Sequence, residues 1–166
     1  MIIPLFYENK EISHPSIFLA GPCLKGGSFH GSWREEAINI LNDLGFDGYV
    51  YVPESQKGVY EEEDLPFETT TRWEWERLKD CDVILFWVPR DDKDLPGFTT
   101  NIEFGRYTAI RPGSVILGYP ESATRMKYME ILYKNVCGRT SSHTLKDTCL
   151  VSLSVIKRKK KNGGFL

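Results

Sequence analysis

The feature that most constrains this 166-residue chain is the run Val83-Ile84-Leu85-Phe86-Trp87-Val88, bounded by Asp82 and Pro89. It is apolar at every position. A strand with one wet face alternates apolar and polar residues, because successive side chains point to opposite faces. A short run without alternation is a strand covered on both faces, which is the habit of parallel sheets. Three further segments fit the same sheet. Ser16-Ile17-Phe18-Leu19-Ala20 is stopped by Gly21-Pro22, Gly48-Tyr49-Val50-Tyr51-Val52 is closed by Pro53, and the last runs from Ser114 to Gly118. Residues 1–15 are a polar lead-in with room for a short strand.

Helical patterns separate these runs. Ser32 has the character of an N-cap, with Glu35 completing a capping box. Trp33, Ala37, Ile40, Leu41 and Leu44 recur at helical spacing until Gly45. A second helix is predicted to start at Thr70 or Thr71 and to pass through Trp73, Trp75, Leu78 and Cys81. A third begins near Thr99-Thr100-Asn101, and two more lie near 122–135 and 143–160, divided by Gly138. Alternating strand and helix imply a single-domain α/β fold over 1–166, a parallel sheet with helices on both faces. In such a sheet the ligand lies beyond the C-terminal strand ends. The loops 21–32, 53–69 and 89–100 then face it. The middle one carries Glu54, Glu61, Glu62, Glu63, Asp64 and Glu68 and reads as a solvated excursion or a lid.

Composition excludes several classes. The formal net charge of -2 gives no general attraction to a nucleic acid polymer or an anionic membrane, and only the tail 157–166 is basic, through Lys157-Arg158-Lys159-Lys160-Lys161. No apolar run approaches the roughly 18 residues of a membrane span. The first residues have no secretory pattern, so a cytoplasmic location is expected. Cys23, Cys81, Cys137 and Cys149 are too scattered for a zinc site and read as free thiols. No metal and no cofactor is expected.

Glu103 is the residue with the clearest chemical promise. Capped by Thr99 or Thr100, the helix would hold it in its first turn, where the dipole keeps a carboxylate ionised at neutral pH. It would point at the ligand edge, and an ionised carboxylate in a cleft suits attack on an anomeric carbon. The same residue is also explained as a capping-box glutamate. Trp87, at the end of its strand, is a candidate to stack on a base, while Trp33 and Trp75 have the spacing of core residues. The loop from Gly21 to Gly27, with Lys25, could cradle a phosphate or simply be a surface loop. His30 reads as a solvent-exposed loop histidine.

Ile17-Phe18-Leu19-Ala20-Gly21-Pro22, Tyr51-Val52-Pro53, the stretch from Trp75 to Phe86, and Asn101-Ile102-Glu103-Phe104-Gly105 occur in this order. The pattern resembles the nucleoside 2-deoxyribosyltransferase family, over a core of about 16–120. The resemblance implies a flavodoxin-like fold, Glu103 as the nucleophile at C1′, and Asp82 near the base. The competing account of Asp82 is a helix-to-strand turn residue, and its place at the head of its strand puts it opposite the ligand edge. Phe18 stands where the family's transferases carry a tyrosine, so Tyr7, Tyr51 or Tyr107 would have to substitute. Gly97 stands where relatives carry aspartate or serine. Asp92 or Asp94 could then supply the acid, and Thr99, Thr100 and Asn101 could bind the sugar. The expected activity is cleavage or transfer of the base of a (deoxy)nucleoside. The alternatives are a nucleoside 5′-monophosphate N-glycosidase and a non-catalytic nucleotide sensor, with a flavin-binding protein behind both. The expected partners are a small-molecule nucleoside or nucleotide and further copies of the chain, the helix of Trp73 and Trp75 supplying an apolar contact face.

Overall fold

Strand β4 (Val83–Trp87) is buried along its whole length. It pairs in parallel with β2 (Ser16–Ala20) on one side and β5 (Val115–Gly118) on the other. Strand β3 (Gly48–Tyr51) pairs with β2, and β1 (Ile2–Leu5) extends the sheet beyond β3, in parallel again. The order β1-β3-β2-β4-β5 places the reversal of winding between β2 and β4, the flavodoxin-like arrangement with an added edge strand. The computed structural model describes residues 1–8, 13–23, 29–54 and 66–161.

Among the described residues, five helices cover the sheet: α1 (Trp33–Asp43), α2 (Phe67–Asp80), α3 (Phe98–Ile110), α4 (Lys127–Cys137) and α5 (Leu145–Lys161). Strand alternation sorts the core into two layers. Phe18, Ala20, Ile84 and Phe86 pack with Trp73, Phe104, Tyr107, Met129 and Tyr133 of α2, α3 and α4. Ile17, Leu19, Val83, Leu85 and Trp87 pack with Ala37 and Leu41 of α1 and Cys149, Leu153 and Ile156 of α5. Each side chain's face follows from its parity in the strand.

Local signals explain most boundaries. The Ser32 hydroxyl accepts from Arg34 N at 3.2 Å, capping α1. Glu35 accepts from Gly31 N at 2.6 Å and contacts exposed His30, closing the capping box one residue early. Gly45 takes the left-handed conformation at φ 74, as a helix stop requires. Two starts differ from expectation. Helix α2 opens at Phe67 behind Pro66, and the Thr70 hydroxyl donates back to Phe67 O at 2.9 Å inside the helix. Proline fixes φ in the helical range, which the apolar periodicity could not reveal. Helix α3 opens at Phe98 from a left-handed Gly97, so neither Thr99 nor Thr100 is its cap. Glu54 is buried and Glu68 lies in α2, so neither belongs to an acidic loop; the lid reading for 55–65 lies outside the described residues. Lys159, from the basic tail, donates to Asp82 O at 2.6 Å and Ser114 Oγ at 2.9 Å, pinning α5 to the sheet. No described helix is long and apolar enough to cross a membrane.

Candidate functional site

A cavity of about 290 Å³ opens at the C-terminal ends of β2 and β3, between the N-terminal halves of α2 and α3. Its volume is close to the lower end for small-molecule sites. Gly21 forms the turn out of β2. A Cβ there would lie 2.1 Å from Trp87 O, so only glycine lets the two strand ends approach. Phe18, Ala20 and Pro53 line the inner wall. Thr70, Thr71 and Thr99 add hydroxyls, and Phe67, Trp75 and Ile102 form an apolar rim. These rim residues are 82%, 54% and 71% exposed, an unusual placement for large apolar side chains unless something covers them.

Among the described residues, two carboxylates enter this cavity, Glu74 from α2 and Glu103 from α3. Glu103 lies in the second turn of α3, beyond the reach of the N-terminal amides. Desolvation first, and the neighbouring Glu74 second, push its pKa up to about 8, against a smaller opposing pull from Arg34. The expectation that the helix dipole keeps Glu103 ionised is therefore overturned: burial and a like charge dominate. Desolvation raises Glu74 to about 7, opposed by Arg34 and by the Tyr7 hydroxyl, which donates to Glu74 Oε1 at 3.3 Å. Of the tyrosines considered for the place left by Phe18, Tyr7 reaches a pocket carboxylate. Tyr107 instead donates to Trp75 O at 3.3 Å, and Tyr51 packs on Trp73.

The family described as nucleoside 2-deoxyribosyltransferase like matches residues 14–122. The chain belongs to that family. Membership supports a broad role in nucleoside glycosyl transfer, with a nucleoside as the small-molecule partner. No curated protein matches the chain. The matched span carries every residue that lines the cavity.

Several residues expected in a deoxyribosyltransferase-like site lie elsewhere. Asp82 is at the opposite sheet edge, where its carboxylate accepts from Ser16 N at 2.9 Å and Ser16 Oγ at 3.3 Å. It ties β4 to the start of β2, the structural role of a turn residue. Trp87 is 7% exposed and faces the α1–α5 layer, because parity puts it on the other side of β4 from Phe86. It cannot stack on a ligand in this cavity, whose rim carries Trp75 and Phe67 instead. Asp92 accepts from Thr124 Oγ1 and Arg125 Nε at 2.8 Å, and Asp94 N donates to Asp91 Oδ1 at 3.0 Å in an exposed turn. Neither lines the cavity. Thr100 is buried, and Asn101 Oδ1 accepts from Arg90 Nη2. Pro22 accepts from Trp33 Nε1 at 3.1 Å and backs the site without lining it. Phe18, Gly21, Thr99 and Glu103 do come together. The phosphate-loop reading depends on 24–28, outside the described residues.

Sequence reasoning missed Glu74, Arg34, Phe67 and Ile102. The available signal was positional: the start of α2 follows β3 at the ligand edge, so a glutamate two turns into it faces the strand ends.

Proposed function

We propose that the chain cleaves the base–sugar bond of a (deoxy)nucleoside, with Glu103 as nucleophile and Glu74 as the acid that protonates the departing base. The supporting observation is the pair itself: two carboxylates, both held well above the ordinary range, in one apolar-rimmed cavity of a nucleoside-handling family. Environments of this kind let one carboxyl carry a proton at neutral pH while its partner carries charge. A Glu103 oxygen attacks C1′ as the C1′–N bond breaks. The bond's electrons leave with the base, which takes the proton from Glu74. A glycosyl ester on Glu103 remains. Water or a second base then attacks C1′, returns a proton to Glu74 and frees the Glu103 carboxylate.

Both carboxyls titrate near neutrality, and the reactive form carries a proton on Glu74 with Glu103 ionised. A base seated against Glu74 offers that carboxyl's proton an acceptor and draws the distribution toward the reactive form. The rim residues Trp75 and Phe67 suit a base, and the hydroxyls of Thr70, Thr71 and Thr99 suit a sugar. The upward push on Glu103, which holds back its ionisation near neutrality, favours one rival reading, a pocket that binds without turnover.

Incubation with a panel of nucleosides, followed by chromatography for free base, separates these readings. Base release is expected, and a second base added to the mixture should appear as a new nucleoside if transfer occurs. Saturable binding with no release from any nucleoside would leave the sensor reading standing. A homo-oligomer is also proposed. Trp73 is buried against Tyr7, Phe18 and Tyr51, so the contact face is instead the exposed Phe67, Trp75, Phe98 and Ile102. Light scattering that gives the 19.1 kDa monomer at micromolar concentration would refute it.

A further inference from the structure

Arg34 has no step in this reaction, yet it is the only cation among the described residues that line the cavity. It is 1% exposed, and its orientation is fixed from all sides. Nε donates to Leu19 O at 3.0 Å and Nη2 to Gly21 O at 2.7 Å. Nη1 donates to Cys23 Sγ at 3.1 Å and to Glu54 Oε1 at 2.7 Å. Two of these four acceptors are neutral carbonyls, and the third is a thiol whose pKa burial pushes up. Glu54 is the one carboxylate bonded to Arg34, and its other oxygen accepts from Ser32 Oγ at 3.1 Å. Glu54 does not line the cavity, whereas Arg34 does. The ion pair therefore presents its positive end to the pocket, with the compensating charge behind it.

We propose that Arg34 is a positioning residue whose field sets the ionisation of the Glu74–Glu103 pair, and that Glu54 tunes this field from behind. The catalytic consequence rests on the reaction proposed above; the electrostatic claim does not. Charges inside a partly dry cavity are weakly screened, so a fixed guanidinium acts on both carboxylates at once. Among the described residues, the titratable groups facing the pair are Tyr7 on Glu74, Cys23 and Arg34 at the end of β2 and the start of α1, and each carboxylate for the other. The remaining polar side chains among the described lining residues are threonine hydroxyls, which carry no charge. Arg34 opposes the upward push of burial on both carboxylates, as a cation in this position must.

A purely structural arginine and a field-setting one differ in a sign. Arg34→Met removes the cation, so both carboxyl pKa values should rise, by about 1 or more. Glu54→Gln keeps the hydrogen-bond acceptor and removes the compensating charge, so both should fall, by about 0.5 to 1. The measurement is a carbon-13 titration of the glutamate carboxyl signals in the full chain without substrate, assigned with Glu74→Gln and Glu103→Gln. Opposite shifts in the two variants support the proposal. Shifts of the same sign, or none, overturn it. If Arg34→Met does not fold, Glu54→Gln decides alone: a fall supports the proposal, and no change or a rise overturns it. Base release plays no part in this readout. Opposite shifts in a protein that releases no base would sink the reaction and leave the field intact; the converse result would do the reverse.

Discussion

Replacing Glu103 by glutamine should make the protein more stable at alkaline pH while removing its proposed activity. A carboxyl whose pKa rises from an ordinary 4.5 to about 8 forfeits up to about 5 kcal/mol when it ionises inside the fold. Water entry and relaxation around a partly exposed side chain reduce that figure, so about 1 to 3 kcal/mol is the expected gain. The sign follows from the folded-state pKa lying above the unfolded one. The advantage of the protonated carboxyl is fully present below about pH 4.5 and is lost as pH rises through about 8. Glutamine does not titrate, so the variant should match the wild type near pH 5 and exceed it near pH 9. For a chain of this size, 1 kcal/mol corresponds to roughly 2–4 °C in Tm, which sets an expected rise of about 3 to 10 °C. Thermal unfolding of both proteins at the two pH values makes the comparison. A variant no more stable than wild type at pH 9, or a difference that ignores pH, would refute the account of Glu103 as a desolvated, charge-crowded carboxyl.

Other consequences concern the reaction. The pH profile of kcat/KM should be bell-shaped, with limbs near 7 and 8 from the two carboxyls, and activity should fall away below neutrality rather than near 4.5; a plateau from pH 5 to 9 would contradict this. Glu74→Gln should slow release of a neutral base by about 100- to 10,000-fold. The loss should be far smaller for an N-methylated cationic base, which leaves without a proton, and equal losses for both would remove Glu74 from the acid role. Trp75→Ala should raise KM about tenfold with kcat nearly unchanged, as loss of stacking contact predicts; an unaltered KM would place the base elsewhere.

The fold was far more legible in the sequence than the site. The unalternating run at Val83–Val88 announced a doubly covered parallel sheet, and Gly45 and Gly138 marked helix ends where the backbone indeed turns left-handed. What an apolar run conceals is parity. Because both faces of β4 are dry, nothing in its composition distinguishes Trp87 from Phe86, and only the sheet shows that Trp87 faces away from the cavity. Glu103 was legible through its motif, but its protonation was not. Its charge state depends first on burial and then on Glu74, a distant residue on another helix, and helical spacing alone reads such a glutamate as solvent-facing. Arg34 was hidden for the same reason: its partner Glu54 is brought to it by the β2–β3 neighbourhood, and an arginine in the first turn of a helix otherwise looks like surface.

The central claim is covalent attachment of the sugar to Glu103. Incubating the protein with a nucleoside, quenching in acid and measuring the intact mass tests it most directly. The mass should rise by one glycosyl unit, digestion should place the addition on the peptide containing Glu103, and Glu103→Gln should show neither the adduct nor base release. Base release that persists in Glu103→Gln, or an adduct on a different peptide, would contradict the account.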